Sequence, residues 1–364
     1  IRVSSTTTCI SIAPDFVVFM QSLLHDNRIE MQHLLDQIPN LESELRLLLR
    51  QVPRGRVASY GNLAAAMGDR KAARWIARYL LDHPHGPRCR CHRVVRVTGE
   101  LGTYILRDPS RKQAALENDG VIVNHGVVDV NRYGVRRFQS SRPLVRLQAI
   151  QKRLLKQRLL DAPSCLPELV AGVDISYVTP NRGVAAYVLF DVRRRAVVWS
   201  MTHCRRVRFP YISGYLSFRE LPLLLGLLKR VRGADRMAAV VLVDGSGIMH
   251  PRGAGVATHL GIVAKCPTIG ITKTLLYGTP RHQPTTDRPL VEMHENQAPL
   301  GWAIRPVPSR EPLIYVSPGH LTDVDFVKHL VMSTLHGRTL PEPIYWADRI
   351  SRAEARRIKH GKQP

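Results

Sequence analysis

Chemistry is concentrated in the stretch VVLVDGSGIMHPRGAGVATHLG, where Asp244 follows four apolar residues and precedes Gly245 and Gly247. The apolar run reads as a short buried strand that the glycines end abruptly. The carboxylate then stands at the strand's C-terminal end, where open α/β sheets place their ligands. His250, Arg252 and His259 follow closely. A second acid, Asp174, interrupts the apolar strand LVAGVDIS, and a lone carboxylate buried there is costly unless a cation or donors compensate it. Glu220 opens a leucine-rich helix. Three oxygen ligands with no cysteine partner favour a hard cation such as Mg2+, with Mn2+ as a substitute, over zinc.

A different chemistry is offered by Cys89-Arg90-Cys91-His92-Arg93, with His83 and His85 just upstream. This tight cluster lacks the separated pairs of ligands that a structural zinc site normally uses, and no second CxxC follows, so zinc is set aside. A cysteine beside arginines and a histidine suits a thiolate of lowered pKa, the nucleophilic form. No cofactor is expected for this part of the chain.

The 364 residues leave room for two domains, each with its own core. Lysine and arginine total 53 against 29 acids, a formal charge of +24 dominated by arginine, which points to phosphates and hence to nucleic acid as partner. The six cysteines are dispersed, so nothing demands an oxidising compartment. No apolar run reaches about 18 residues and no secretion signal is evident, so a cytoplasmic protein without a membrane span or a required protein partner is expected.

The elements that position these groups fall into two blocks. Residues 1–48 read as a helical leader, with Leu41, Leu45 and Leu48 at helical spacing after Pro39. In the first block, KAARWIARYLL is a short basic helix with Arg74 and Arg78 on one face. LVRLQAIQKRLLKQRLL, within 139–168, is an amphipathic basic linker or the first helix of the second block. From Leu169 three strand candidates form a meander, the helix opened by Glu220 covers the sheet, and 277–310 is a proline-rich excursion with a short LGWAI strand. Residues 351–364 form a charged tail.

PRGRVASYGNLA, KAARWIARYLL, CHRVV, TGELGTY and RYG, in that order, resemble the DNA-binding, active-site domain of the O6-alkylguanine-DNA alkyltransferases and their alkyltransferase-like relatives. The resemblance covers about 85 residues within 49–138 and implies a helical, winged helix-turn-helix-like domain. Such a domain enters the minor groove, flips the damaged guanine and transfers its alkyl group irreversibly to a cysteine. It assigns the acceptor to Cys91, the activating histidine to His92, the backbone-contacting tyrosine to Tyr60 and the gap-filling arginine to Arg74. The family's proline before the cysteine is Arg90 here, its asparagine is His83, and its histidine-orienting glutamate is best matched by Asp119.

GVDISY, PYISGYLSFRELP, VDGSGIMHPRGAGVATHLG, PTIGITK, YVSPGH and LPEPIYWAD resemble endonuclease V across nearly all of 169–350. This implies an α/β ribonuclease H-like fold and a metal-dependent nuclease that cuts the second phosphodiester bond 3′ to deoxyinosine; some relatives prefer RNA with inosine. The metal carboxylates become Asp174, Glu220 and Asp244, with Lys273 and His320 near the scissile phosphate. Tyr211 becomes the strand-separating wedge, with Ser213 where the family has proline. Gly214, Gly245, His250 and His259 fall near the lesion pocket.

The two resemblances imply a fusion acting on damaged DNA that carries deoxyinosine or O6-alkylguanine. A nuclease joined to a damage-binding module without alkyl transfer, or one acting on inosine RNA, remains open at this point.

Overall fold

A computed structural model describes residues 37–86, 89–104, 108–307 and 313–361. The leader's apolar positions before residue 37 lie outside the described residues, and the described residues from Pro39 onward form one compact body.

The smaller lobe opens with α1 (Leu41–Arg50), whose N-terminus is capped by Asn40 and which buries Leu41, Leu45, Leu48 and Leu49. A two-strand parallel ladder joins β1 (Ala58–Ser59) to β2 (Val94–Val95). Between them lie α2 (Tyr60–Ala66), capped by Ser59, a 3-10 turn (Arg70–Ala72) capped by Asp69, and α3 (Ala73–Asp82). Helix α3 buries Ile76 and Leu80, while Arg74 and Arg78 stay exposed on the opposite face, as 3.6-residue periodicity requires. Helix α4 (Pro109–Asn118), the hairpin of β3 (Val123–Asn124) and β4 (Val127–Val128), and α5 (Val130–Tyr133) close this lobe around Val57, Val95, Leu116 and Val121.

Helix α6 (Pro143–Leu154) connects the lobes and ends earlier than the basic pattern suggested, passing into a 3-10 turn (Leu155–Gln157). Its buried positions are Leu144, Leu147, Ile150 and Gln151, whereas Leu159 is exposed.

The larger lobe is built on a nine-stranded sheet. The predicted meander is β5 (Leu169–Thr179), β6 (Arg182–Asp191) and β7 (Ala196–Arg206), all antiparallel. Helix α7 (Leu216–Gly233) leads to β8 (Val240–Asp244), and α8 (Val256–Ala264) leads to β9 (Thr268–Thr272). Strands β5, β8 and β9 run parallel at the centre of the sheet. Strands β10 (Thr279–Pro280), β11 (Leu290–Glu295), β12 (Ala298–Ile304) and β13 (Ile314–His320) extend it antiparallel, so the proline-rich excursion supplies sheet edge. Helices α9 (Val324–Thr334) and α10 (Glu342–Lys359) cover one face, where Val170, Val240, Leu242, Ile269 and Val316 form the core with Val327 and Ile344. Among the described residues no helix is long and apolar enough to cross a membrane.

Candidate active sites

The carboxylates of the larger lobe are brought together by register. Val173 on β5 pairs in parallel with Val243 on β8, so Asp174 and Asp244, one residue further on, stand side by side about 4.8 Å apart in the strand-spacing direction. Both lie on the even-numbered face that α10 covers. Gly172 permits that close cover, since a Cβ there would meet the Pro343 carbonyl at 2.2 Å. The consequence is a hydrogen bond from Ser351 Oγ to Asp174 Oδ2 of 2.5 Å. Ser351 carried no signal in the sequence, because only the helix packing reveals it.

Glu220 comes from the second turn of α7 and accepts a hydrogen bond from the Tyr177 hydroxyl at 3.2 Å. Its neighbour Arg219 lies 4.3 Å over the Tyr177 ring and donates to the carbonyls of Phe209 and Pro180, fixing the loop that precedes α7. Burial, and then the Asp174 charge, push the Glu220 carboxyl up to about 8. Asp244 sits deep among its neighbours yet keeps its side chain reachable from solvent. That enclosure, the Asp174 carboxylate hydrogen-bonded to it and Glu220 hold Asp244 well above the usual carboxylate range, opposed by Lys273. Acids that raise one another's proton affinity favour a divalent cation among them, and an all-oxygen donor set fits a hard ion.

Two expected residues fall elsewhere. His320 pairs with Thr268, which is also level with Val241, whereas Asp244 is level with Ile271. His320 therefore sits three residues down the ladder, about 10 Å along the strand direction from the carboxylates. Its ring accepts the Leu159 backbone N–H at 3.2 Å and anchors the connector between the lobes. A shared pattern of residue types placed it at the phosphate; strand direction places it at the other end.

His259 is fully buried, edge-on to Phe218 at 5.2 Å, and neither ring nitrogen has a hydrogen-bond partner. It faces core rather than a nucleic-acid pocket. Burial, with a smaller contribution from His250, pushes it down to about 3. Unfolded, it titrates near 6.5, so between about 3 and 6.5 the unfolded chain binds the extra proton and stability falls as pH falls. We expect His259→Leu to lose less stability than the parent on acidification from pH 6.5, the gap widening by up to about 1.4 kcal/mol per pH unit. Denaturant unfolding at several pH values reads this, and parallel curves would refute it.

Tyr211 is 66% exposed on the loop before α7, open enough to act as a wedge. Behind it the Gly214 carbonyl accepts from His250 Nε2 at 3.2 Å, from Gln151 Nε2 at 3.2 Å and from the Arg252 guanidinium. Burial and the nearby Arg252 charge push His250 down to about 4, so it is neutral at physiological pH. Gly245 has φ +151 and a Cβ there would strike Val256, but its N–H is spent on the Ile271 carbonyl. It supplies the turn rather than a free donor.

This network continues into the smaller lobe. The Tyr215 hydroxyl donates to Asp69 Oδ2 at 2.7 Å and accepts from Gln148 Nε2 at 2.6 Å, while Arg252 stacks 4.6 Å from the Tyr215 ring. Asp69 caps the turn leading to α3 through the Lys71 N–H, so the basic helix and the wedge loop share one hydrogen-bonded carboxylate. A double-mutant cycle of Asp69→Ala and Tyr215→Phe is expected to show coupling of roughly 0.5–3 kcal/mol in denaturant unfolding. Additive effects would show that the contact does not tie the lobes.

In the smaller lobe Cys91 opens a 3-10 turn (Cys91–Arg93) and is 2% exposed. His92 Nε2 lies 2.8 Å from Asp119 Oδ2, which also accepts from Arg93 Nε at 2.6 Å. Burial alone would raise Asp119, but the hydrogen bonds from Arg93 and His92 outweigh it and keep the carboxyl below its ordinary value. The shorter acid thus reaches its histidine directly. The imidazole nitrogen against the Cys91 sulfur belongs instead to His85, at 3.2 Å, and Cys89 Sγ is 3.1 Å away.

The expected low-pKa thiol shifts accordingly. Cys89, hydrogen-bonded to Cys91, His83 and His85, is drawn down to about 4, while its sulfur and burial push Cys91 up. Tyr60 is raised to about 12 by burial and the Cys91 charge. Lys112, which the sequence reading missed, is fully buried beside the Tyr60 and Tyr104 rings and donates to the Val94 and Leu101 carbonyls. Burial lowers it to about 8.

Comparison with known proteins bears on both lobes. Residues 148–349 match the family described as "Endonuclease V", and residues 41–121 match "6-O-methylguanine DNA methyltransferase, DNA binding domain". The second match begins within the expected leader, at the first residue of α1. A bifunctional methyltransferase/endonuclease of Picrophilus torridus is 32% identical over 83% of this chain and 96% of its own length. A bifunctional methyltransferase-like/endonuclease of Nanoarchaeum equitans is 30% identical over 86% of this chain and 90% of its own. The catalytic domain of human endonuclease V superposes with a TM-score of 0.56 at 27% identity, covering 62% of this chain and all of that domain.

Proposed function

Because the chain belongs to the endonuclease V family and carries an alkyltransferase-type DNA-binding domain ahead of the nuclease, we propose that it nicks strands containing deaminated adenine and also takes alkyl groups from O6-alkylguanine. The family match and α1 move the start of the alkyltransferase-type domain from the expected residue 49 to residue 41, with its end kept at 138 and the nuclease at 169–350. The observation that carries the nuclease reading is the register-built pair of Asp174 and Asp244 with Glu220 beside them.

These three would hold Mg2+, or Mn2+ in its place, and the ion supplies Lewis acidity and a water of lowered pKa. The remaining work belongs to the chain. Ser351 and Tyr177 orient the carboxylates by donating to Asp174 and Glu220. Lys273 sets positive charge beside Asp244, where charge builds on the phosphate. Tyr211 stacks in the gap left by the extruded base, against a pocket walled by Gly214 and His250. The bond cut is the second phosphodiester 3′ to deoxyinosine.

In the other module the Cys91 sulfur attacks the alkyl carbon. The carbon–sulfur bond forms as the carbon–O6 bond breaks, and the thiol proton ends on guanine. Arg74, exposed on α3, fills the space of the flipped nucleotide, Tyr60 contacts its backbone, and Asp119 positions His92.

The nuclease reading is tested with the full chain on end-labelled strands carrying a single inosine, as DNA or RNA, with Mg2+ or with EDTA. Mg2+-dependent cutting one bond beyond the first 3′ linkage of the DNA strand is expected. Equal cutting of unmodified DNA, or cutting that persists in EDTA, would sink it, and preference for the RNA strand would move the substrate to inosine RNA.

A further inference from the structure

His83, His85, Cys89 and Cys91 come from one short loop between α3 and the turn at Cys91, and their donor atoms all lie within 4.8 Å of one another. His83 Nε2 is 3.0 Å from Cys89 Sγ, and His85 Nδ1 is 3.7 Å from Cys89 Sγ and 3.2 Å from Cys91 Sγ. The two sulfurs are 3.1 Å apart. A zinc ion with bonds of about 2.0–2.3 Å spans tetrahedral edges of roughly 3.3–3.8 Å, and the four contacts above fall within about 0.7 Å of edges of that size.

The orientation of His83 is also prepared. Its Nδ1 faces the carbonyls of Tyr79 and Leu80 at 3.2 and 3.1 Å, so an N–H there donates into the C-terminal end of α3, where the Tyr79 carbonyl also accepts the His83 backbone N–H. That hydrogen bond puts the proton on Nδ1 and leaves the Nε2 lone pair aimed at the sulfurs, the arrangement found behind metal-ligating histidines. The ring is held further by stacking on Tyr79, 5.5 Å away and nearly parallel. His85 is half-buried, and its Nε2, shut off from solvent, has no hydrogen-bond partner while Nδ1 faces the two sulfurs.

We propose that, before any alkyl transfer, these four residues form a tetrahedral site for Zn2+ with Cys91 ligating as a thiolate, a ligand that alkylation of its sulfur would weaken. Two thiolates neutralise the ion's charge, and the soft sulfur and imidazole set distinguishes it from the hard all-oxygen centre of the nuclease. The ion ties the C-terminal end of the basic helix to the turn carrying Cys91. Sequence spacing hid the site because all four ligands fall in one loop rather than in two separated pairs.

The test uses the full chain purified with reductant. Zinc is quantified by mass spectrometry after dialysis, and Co2+ is titrated into metal-free protein by absorbance. One tightly held zinc per chain is expected, with intense tetrahedral cobalt bands and thiolate-to-cobalt charge transfer. Cys89→Ser and His85→Ala should each weaken binding by more than the roughly 10–100-fold that outer-shell changes cost. Circular dichroism confirms that each variant is folded, and Cys89→Ser should also lose charge-transfer intensity. Metal-free protein as purified that fails to take up either ion, a cobalt spectrum unchanged in both folded variants, or a Cys89–Cys91 disulfide persisting in reductant would overturn the proposal. The readout is the ion itself, so it does not depend on whether Cys91 accepts alkyl groups.

Discussion

Asp244→Asn is expected to lower inosine-directed nicking by on the order of 1000-fold, the effect of removing several kcal/mol of metal-assisted charge stabilisation. The substitution keeps the shape of the side chain and removes only its charge. Asp244 shares a hydrogen bond with Asp174 in a site that penalises a second negative charge. An amide can donate to Asp174 there, so the fold should be as stable as the parent or more so. Loss of activity without loss of thermal stability would then locate the effect in the chemistry. Single-turnover nicking across a Mg2+ series, paired with thermal denaturation, makes the measurement. Activity within tenfold of the parent would show that the metal is held elsewhere.

Cys91→Ser should abolish alkyl transfer entirely while leaving the nicking rate within about twofold, because a serine hydroxyl lacks the accessible anionic form that makes a thiol nucleophilic near neutrality. Cys91 is buried in a lobe whose own core is formed by Val57, Val95, Leu116 and Val121, and its sulfur touches Cys89 and His85 rather than any nuclease carboxylate. The measurement is intact mass after incubation with O6-methylguanine DNA. The parent should gain one methyl on Cys91 and the variant none. Methylation that persists in the variant would assign the acceptor to another thiol, with Cys89 the nearest.

How far the site was legible varies residue by residue. Asp174 and Asp244 were readable because an acid inside or at the end of an apolar strand is expensive, and the expense marks it. Glu220 was readable from its place at the start of a leucine-rich helix. His320 and His259 were misplaced for complementary reasons. Residue type and order carried both into the site, but ladder register sends His320 to the far end of β13, and burial seals His259 against Phe218. Ser351 and Lys112 gave no signal, since a serine and a lysine become functional only through what packs against them, and His85 was visible beside the cysteines but its approach to the Cys91 sulfur was not.

By itself, then, the sequence determined two lobes, the strands and the helix that carry the acids, the exposed basic face of α3 and the cysteine-bearing turn. These follow from local periodicity and from the cost of burying charge, which any short window displays. Only the tertiary structure decided which groups meet. Parallel pairing of β5 with β8 sets two carboxylates side by side, α10 delivers Ser351 to one of them, and Tyr215 binds Asp69 across the lobes. The loop after α3 folds His83, His85, Cys89 and Cys91 into one cluster. Such meetings depend on strand direction, helix approach and loop closure, and residues far apart in the chain carry no local trace of them.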